Sequence, residues 1–111
     1  MTVVEFTLAG APVVAFSAGP HHDFNDAISL ALHCDTQDEL DALWDGLLQG
    51  GGKPVACGWL KDRYGVSWQV SPRCLGEMIG DPDRARAARA TRAMLQMVKL
   101  DIAALRAAFD G

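Results

Sequence analysis

Residues 26–48 read DAISLALHCDTQDELDALWDGLL, and this stretch decides the fold because its hydrophobic pattern changes period halfway along. In the first part Ile28, Leu30 and Leu32 lie on one side of an extended chain and smaller residues on the other, which is typical of a strand. In the second part apolar residues recur at helical spacing. We therefore predict a strand near residues 26–33 followed directly by a helix near 37–49.

Both ends of that helix carry local signals. Thr36 and Glu39 have the spacing of a capping box, in which the Thr36 hydroxyl accepts from the Glu39 amide and the Glu39 carboxylate reaches back. Gly50, Gly51 and Gly52 follow the last apolar residue and supply a left-handed stop. These signals predict where the helix begins and ends.

Strand patterns lie on both sides of this unit. Alternation predicts strands near residues 2–8 and 12–17, joined as a hairpin through Ala9 and Gly10. Two further strands are predicted near 54–60 and 65–71, separated by a polar turn, although Pro54 and Gly58 both weaken a ladder.

The remainder of the chain is helical in pattern. A short turn runs through Met78, and helices are predicted near 82–97, capped by Asp81 before a proline, and near 102–109, capped by Asp101. The arginines of the first of these helices are interpreted as a solvated face. An order of two strands, then βαββ, then helices does not fit a doubly wound parallel sheet.

Composition indicates one compact domain. The chain has 111 residues, half of them apolar, and a net charge of -4, which disfavours a nucleic-acid partner. No run approaches the roughly 20 apolar residues of a membrane span, and no leader pattern is recognised, so a cytoplasmic protein is expected. The three cysteines form no C-x-x-C pair, which favours reduced thiols over a disulfide framework.

Three segments carry a resemblance to a known family. Residues 19–29 (GPHHDFNDAIS), 57–70 (CGWLKDRYGVSWQV) and 94–105 (MLQMVKLDIAAL) resemble the PhnB-like family, in the glyoxalase/bleomycin-resistance/dioxygenase (vicinal-oxygen-chelate) superfamily. Some of its relatives are labelled 3-demethylubiquinone-9 3-methyltransferase. The resemblance implies an α+β fold of paired βαβββ modules around a shared cavity.

Over residues 1–111 the resemblance implies a single domain, a glyoxalase-like βαβββ module with an extra N-terminal hairpin and C-terminal helices. The strand, helix and strand that usually precede this segment are missing from it. An unpaired strand edge and the apolar stripes of the tail helices (Met94, Leu95, Ile102, Leu105, Phe109) would then need covering. We therefore expect a symmetric homodimer in which a second copy closes the cavity.

Metal-dependent members of that superfamily bind a divalent ion through His and carboxylate side chains. The resemblance puts Ile28, Gln69 and Ala15 at the corresponding positions, and two of these three side chains have no donor atom. His21 and His22 are adjacent in a loop, where both rings seldom point at one ion, and a polar rim is the simpler interpretation. We predict no metal and no cofactor.

The candidates for binding a small-molecule ligand are Ser29, Trp59, Trp68, Gln69, His21 and Asn25. Ser29 and Gln69 each interrupt an apolar strand with a hydrogen-bonding group, so Gln69 either orients a ligand or joins an internal network. The two indoles either line the cavity or pack in the core.

The predicted function is therefore a metal-free small-molecule binding protein whose ligand the sequence does not name. One alternative is an enzyme of unknown reaction, which includes the methyltransferase activity used as a family label. No Gly-x-Gly loop between a strand and a helix supports that label. The other alternative is an interaction protein whose tail helices pack against a partner.

Overall fold

A computed structural model describes all 111 residues, with two separate sheets and four helices. In chain order the elements are β1 (Val3–Leu8), β2 (Ala11–Phe16), β3 (Ser29–Cys34), α1 (Gln37–Leu48), β4 (Lys53–Pro54), β5 (Trp59–Lys61), β6 (Ser67–Pro72), α2 (Arg73–Ile79), α3 (Arg84–Leu95) and α4 (Ile102–Asp110). The α+β class and the predicted third strand are confirmed.

The larger sheet is a complete βαβββ unit. Its strand order is β3-β6-β5-β4, with β3 parallel to β6 and the other neighbours antiparallel. The helix α1 connects β3 to β4 and packs on one side of the sheet. Because no strand lies beyond β3, one edge of β3 stays unpaired.

The prediction of a single strand near 54–60 is wrong, since the structure has two separate strands there, β4 and β5. Cys57 and Gly58 lie between the two pieces with φ of 61° and 84°, a left-handed conformation that no ladder accepts. Their amides bond instead to the carbonyl oxygens of Met97 and Val98, both at 2.8 Å. The interruption therefore ties the sheet to the tail.

The helix caps agree with the sequence at two positions and differ at one. Thr36 accepts from the Glu39 amide at 3.2 Å, and Asp101 accepts from the Ala104 amide at 3.0 Å. The predicted Asp81 cap is wrong, because the Asp83 carboxylate caps α3 by accepting from the amides of Ala85 and Arg86. The Asp81 carboxylate accepts from the Asp83 amide at 2.8 Å and so shapes the turn before the helix.

The core lies between the sheet and the helices. Its fully buried side chains come from β3, β5 and β6, from α1, and from the tail: Cys34, Leu40, Leu60, Val70, Leu100 and Leu105. Phe109 is also buried. The tail helices thus cover much of their own apolar stripe within one chain, and the expectation that a second copy must cover Leu105 and Phe109 is wrong.

The interpretation of the α3 arginines as a solvated face is wrong for two of them. Arg89 donates to the carbonyl oxygens of Ala108 at 3.0 Å and Phe109 at 2.9 Å, and Arg86 stacks on the Phe109 ring at 4.1 Å. Both side chains satisfy or cover the last turn of α4, where backbone carbonyls lack helical partners. They hold the two tail helices together.

The hairpin of β1 and β2 stands apart from this body. Ala9 and Gly10 both have positive φ, 50° and 82°, as a type I′ turn requires. The register pairs Val3 with Phe16 and Leu8 with Ala11, yet no hairpin residue joins the core. The radius of gyration is 16.7 Å, whereas a compact chain of this length has about 13 Å. The hairpin extends the molecule to 56 Å.

None of the four helices is both long enough and apolar enough to pass through a membrane.

Candidate functional site

The four-stranded sheet has one face covered by helices and one face open to solvent. Side chains alternate between the faces, and the buried Cys34, Leu60 and Val70 mark the covered face. The register places the following residues together on the other face, called here the open face: Ser29, Ala31, His33, Trp59, Lys61, Ser67, Gln69 and Ser71. Seven of these eight side chains carry a polar group, which is a hydroxyl, an amide, an imidazole, an ammonium or an indole N–H, and Ala31 alone carries none.

At the centre of the open face Gln69 and Ser29 are hydrogen-bonded. The Gln69 Nε2 donates to the Ser29 Oγ at 2.9 Å, and both side chains are half-buried. Gln69 stands opposite Ala31 in the ladder, and the small Ala31 side chain leaves the amide room to reach diagonally to Ser29. The bond uses the amide nitrogen and leaves the Gln69 carbonyl oxygen to other partners.

A pocket of about 370 Å³ opens at the start of β3. It is lined by Asp23, Phe24, Asn25, Ile28, Ser29, Leu30, Val66 and Ser67. Its volume lies within the range of small-molecule sites, and an apolar lining with a few polar groups is their usual composition. Phe24 is 66% exposed and Ile28 75% exposed, so the apolar wall faces solvent.

An ion pair holds the pocket loop to the sheet. Asp26 lies 2.9 Å from the Lys61 Nζ and accepts from the Ser67 hydroxyl at 3.2 Å. The hydrogen bond with Lys61, followed by that with Ser67, holds the pKa of Asp26 below its ordinary value. One residue earlier, Asn25 accepts from the Ala27 amide at 2.9 Å and turns the chain into β3. These contacts position Asn25 and Ile28 at the pocket.

The turn between β5 and β6 is organised by Asp62. Its Oδ1 accepts from the amides of Tyr64 at 2.8 Å and Val66 at 3.0 Å, and its Oδ2 accepts from the Trp68 indole at 2.9 Å. Burial disfavours ionisation of Asp62, but these hydrogen bonds outweigh it and hold the pKa of the carboxyl below its ordinary value. The turn brings Val66 and Ser67 to the pocket wall.

The structure brings four of the predicted ligand residues together. Ser29 and Asn25 line the pocket, Gln69 bonds to Ser29, and Trp59 stands beside Gln69 in the ladder. All of them lie on the open face or at its end, and Trp59 is half-buried there.

The two remaining candidates lie elsewhere. Trp68 alternates onto the covered face and uses its indole N–H for Asp62. His21 lies in the exposed loop before β3 and does not line the pocket. Sequence reasoning missed Phe24, Leu30 and Ser67 as lining residues. Ser67 could have been found from the sequence, since it stands opposite Ser29 when the predicted strands β3 and β6 are paired.

The residues present do not fit the divalent metal of the superfamily's metal-dependent members. Nowhere do three or more His, Cys, Asp or Glu side chains come together in a way that could hold an ion. Gln69 is hydrogen-bonded to Ser29, Ile28 offers no donor atom, and Ala15 lies on the separate hairpin. A metal site built from these positions would lack the nitrogen, oxygen or sulfur ligands it needs.

The βαβββ sheet, its helical cover and its open polar face define the chain as a glyoxalase-like α+β protein. It belongs to the 3-demethylubiquinone-9 3-methyltransferase family, whose model matches residues 1–71. The matched region contains the hairpin, α1 and all lining residues of the pocket, whereas the helical tail lies outside it.

A solved structure supports the same relationship. A PhnB protein from Bacillus cereus, named provisionally as a 3-demethylubiquinone-9 3-methyltransferase, is 31% identical with a TM-score of 0.52. The comparison covers 61% of this chain and 61% of that chain, so the match extends over about three fifths of the relative's length. No curated protein matches the chain. The PhnB-like family is therefore confirmed.

Proposed function

We propose that this protein binds a small, largely apolar molecule carrying at least one hydrogen-bonding group, without a metal. The pocket at the start of β3 carries this proposal. It has a volume of about 370 Å³, and its lining residue Ser29 is hydrogen-bonded to Gln69. Pockets of that size with apolar walls and a few convergent polar groups are the usual form of a small-molecule site.

The lining residues, together with Gln69, which bonds to the lining residue Ser29, divide into two roles. Phe24, Ile28 and Leu30 offer exposed apolar surface, and covering such surface stabilises a complex by roughly 25 cal/mol per Å². Ser29 and Gln69 supply the directional contacts, with the Gln69 carbonyl oxygen able to accept from a ligand hydroxyl or amine. The polar pair selects the ligand, and the apolar wall holds it.

Native mass spectrometry of the protein purified from cell extract tests the proposal. We expect a co-purifying small molecule with the wild type, a loss of about tenfold or more in occupancy for Ile28→Asp, and no change for Ser71→Ala. Ser71 is the matched control because it lies on the same face but outside the pocket. Equal occupancy in the wild type and Ile28→Asp would refute the site, and ligand-free wild type would refute the function.

Methyl transfer is the second candidate, and the description of the matching family is the observation that favours it. Such an activity needs a sulfonium methyl donor and an acceptor hydroxyl in the pocket. Incubation with isotopically labelled S-adenosylmethionine and a panel of phenols separates the candidates. Transfer of the label to an acceptor by the wild type, but not by Ile28→Asp, would show that the protein catalyses methyl transfer and does not only bind its ligand.

A further inference from the structure

The pocket at the start of β3 carries charge of one sign only. Among its eight lining residues Asp23 alone has a charged side chain, and no lysine, arginine or histidine lines the pocket. Asp23 is exposed, and none of the four ion pairs of the structure includes it. The Asp23 carboxylate is therefore available to a positively charged ligand.

The lysine beside the pocket is already neutralised. Lys61 stands opposite the lining residue Ser67 in the ladder, and its Nζ lies 2.9 Å from the Asp26 carboxylate. The hydrogen bond with Lys61, followed by that with Ser67, lowers the pKa of Asp26, so this carboxylate stays ionised at neutral pH. An anionic ligand would have to displace Asp26 from Lys61, and Asp23 would also repel it. The charges at the pocket therefore disfavour an anion.

Hydrogen-bond acceptors are available around the pocket. The Ser67 hydroxyl donates its proton to a neighbouring carboxylate, so its oxygen can only accept from a ligand, and Gln69 has a carbonyl oxygen to offer. Donors are present as well, in the Ser29 hydroxyl and the Asn25 amide. Hydrogen bonding alone thus admits a neutral ligand or a cation, and the charge of Asp23 favours the cation.

The apolar part of the pocket suits the body of such a ligand. Phe24 follows Asp23 in the chain, lines the pocket and is 66% exposed. An aromatic ring attracts an organic cation that lies within about 6 Å of its centre. Ile28 and Leu30 add exposed aliphatic surface to the same pocket, which an ammonium group alone would leave uncovered. A carboxylate, an aromatic ring and an aliphatic wall together fit a cation that is attached to an apolar group.

We propose that this pocket takes an amine that is protonated at neutral pH and carries an aromatic or aliphatic group. The inference rests on the proposed function, because it names the class of molecule that the same pocket binds. The ammonium group pairs with the Asp23 carboxylate and contacts the Phe24 ring, while the apolar group covers Ile28 and Leu30. The net charge of -4 also favours encounter with a cation, but only Asp23 favours it at this pocket.

The size of the effect follows from the exposure of Asp23. Two opposite charges about 4 Å apart attract weakly in water and several times more strongly near a protein surface. Asp23 is exposed, so the attraction lies toward the weaker limit, and salt screens it further. At low ionic strength we expect a cation to bind about tenfold more tightly than a neutral molecule of the same shape.

Three probes with the same phenylalkyl group and different charge test the proposal: phenylbutylamine, phenylbutanol and phenylbutyrate. Nuclear magnetic resonance titrations of the purified protein measure their dissociation constants and locate each contact through the amide shifts of Ile28 and Ser29. We expect the amine to bind about tenfold more tightly than the alcohol and the butyrate to bind most weakly. The preference for the amine should fall as salt is added.

Asp23→Asn separates the charge of the pocket from the overall charge of the protein, with Asp45→Asn as matched control. Asp45 is an exposed carboxylate on α1 that does not line this pocket and belongs to none of the ion pairs. Both variants therefore change the net charge by the same amount. We expect Asp23→Asn to bind the amine about tenfold more weakly and the alcohol unchanged, and Asp45→Asn to match the wild type.

The possible failures are distinguishable from failure of the proposed function. Equal affinity of the wild type for all three probes would overturn the inference and leave the proposed function standing. An equal loss in Asp23→Asn and Asp45→Asn would show that the amine responds only to net charge, which also contradicts the inference. If no probe binds, the inference fails, and native mass spectrometry decides the proposed function separately. A co-purifying ligand without a basic nitrogen would refute the inference while supporting the proposed function.

Discussion

The hydrogen bond between Ser29 and Gln69 provides the sharpest test of whether the site is preorganised. We predict that replacing Ser29 by Ala and Gln69 by Leu, singly and together, reveals a favourable coupling between the two side chains. Each single change removes one partner of a 2.9 Å bond, whereas the double change removes both. Leu is close in volume to Gln, so Gln69→Leu leaves little cavity.

The expected magnitude follows from the geometry. A neutral side-chain hydrogen bond contributes about 0.5–1.5 kcal/mol net, and both groups here are half-buried, so we expect a coupling of about 0.5–1 kcal/mol. Each single variant should lose about 1 kcal/mol of unfolding free energy. For a chain of this length that loss lowers the midpoint of thermal unfolding by roughly 4 °C.

Urea unfolding of the wild type and the three variants measures the coupling directly. The contact between His33 and Ser71 at 3.4 Å lies on the same ladder and is exposed, which makes it the matched control with an expected coupling near zero. A coupling for Ser29 and Gln69 no larger than that of the control would show that the Gln69 amide is not held in place and that the site is not preorganised.

Three further predictions concern the framework around the site. Asp62→Asn should cost about 1–2 kcal/mol at pH 7, because it removes the acceptor of the Trp68 indole. The pKa of Asp62 is lowered in the folded protein, so the wild type loses its advantage in stability as this carboxyl is protonated, and the difference between wild type and Asp62→Asn should shrink below about pH 4. Urea unfolding of the two proteins at pH 7 and pH 3 measures this difference. Gly58→Ala should cost about 2–3 kcal/mol, because φ is 84° and the added Cβ would lie 3.0 Å from Leu100; thermal unfolding with Gly10→Ala as control measures it. Asp101→Ala should cost about 1 kcal/mol through loss of the α4 cap, measured by urea unfolding.

Each of these has a contrary result. A pH-independent loss for Asp62→Asn would mean that ionisation of the carboxyl contributes nothing. An equal loss for Gly58→Ala and Gly10→Ala would show that only the backbone conformation matters at Gly58, since a Cβ at Gly10 has open space around it. Full stability of Asp101→Ala would mean that packing alone begins α4.

The order and type of the elements were predictable because they depend on short-range physics. The alternation before Cys34, the Thr36 cap of α1 and the glycines after α1 each act within a few residues, and each is confirmed. The return half of the capping box is not formed as predicted, because the Glu39 carboxylate accepts from the Thr36 hydroxyl and not from its amide. The cap of α3 was misassigned by two residues. Asp81 and Asp83 are equally good capping residues, and the choice depends on how the preceding turn packs.

The candidate site was only partly predictable. Ser29 and Gln69 could be found because a polar residue inside an apolar strand stands out, and Asn25, which lines the pocket, falls within one of the segments that carry the resemblance. The roles of Trp59 and Trp68 could not be distinguished from the sequence, because an indole serves equally well in a cavity wall and in the core. Strand alternation sends Trp59 to the open face and Trp68 to the covered face, and that parity becomes visible only once the ladder register is known.

What the sequence by itself determined is therefore the class of fold, the family and the polar pair on β3 and β6. What only the tertiary structure decided is which surfaces are covered. The tail buries Leu105 and Phe109 in its own core and uses Arg89 to cap α4, while the hairpin of β1 and β2 stays outside the core. The period of the hydrophobic pattern shows which residues need burial. Which surface buries them depends on contacts between residues that are distant in the chain, and no local pattern encodes those contacts.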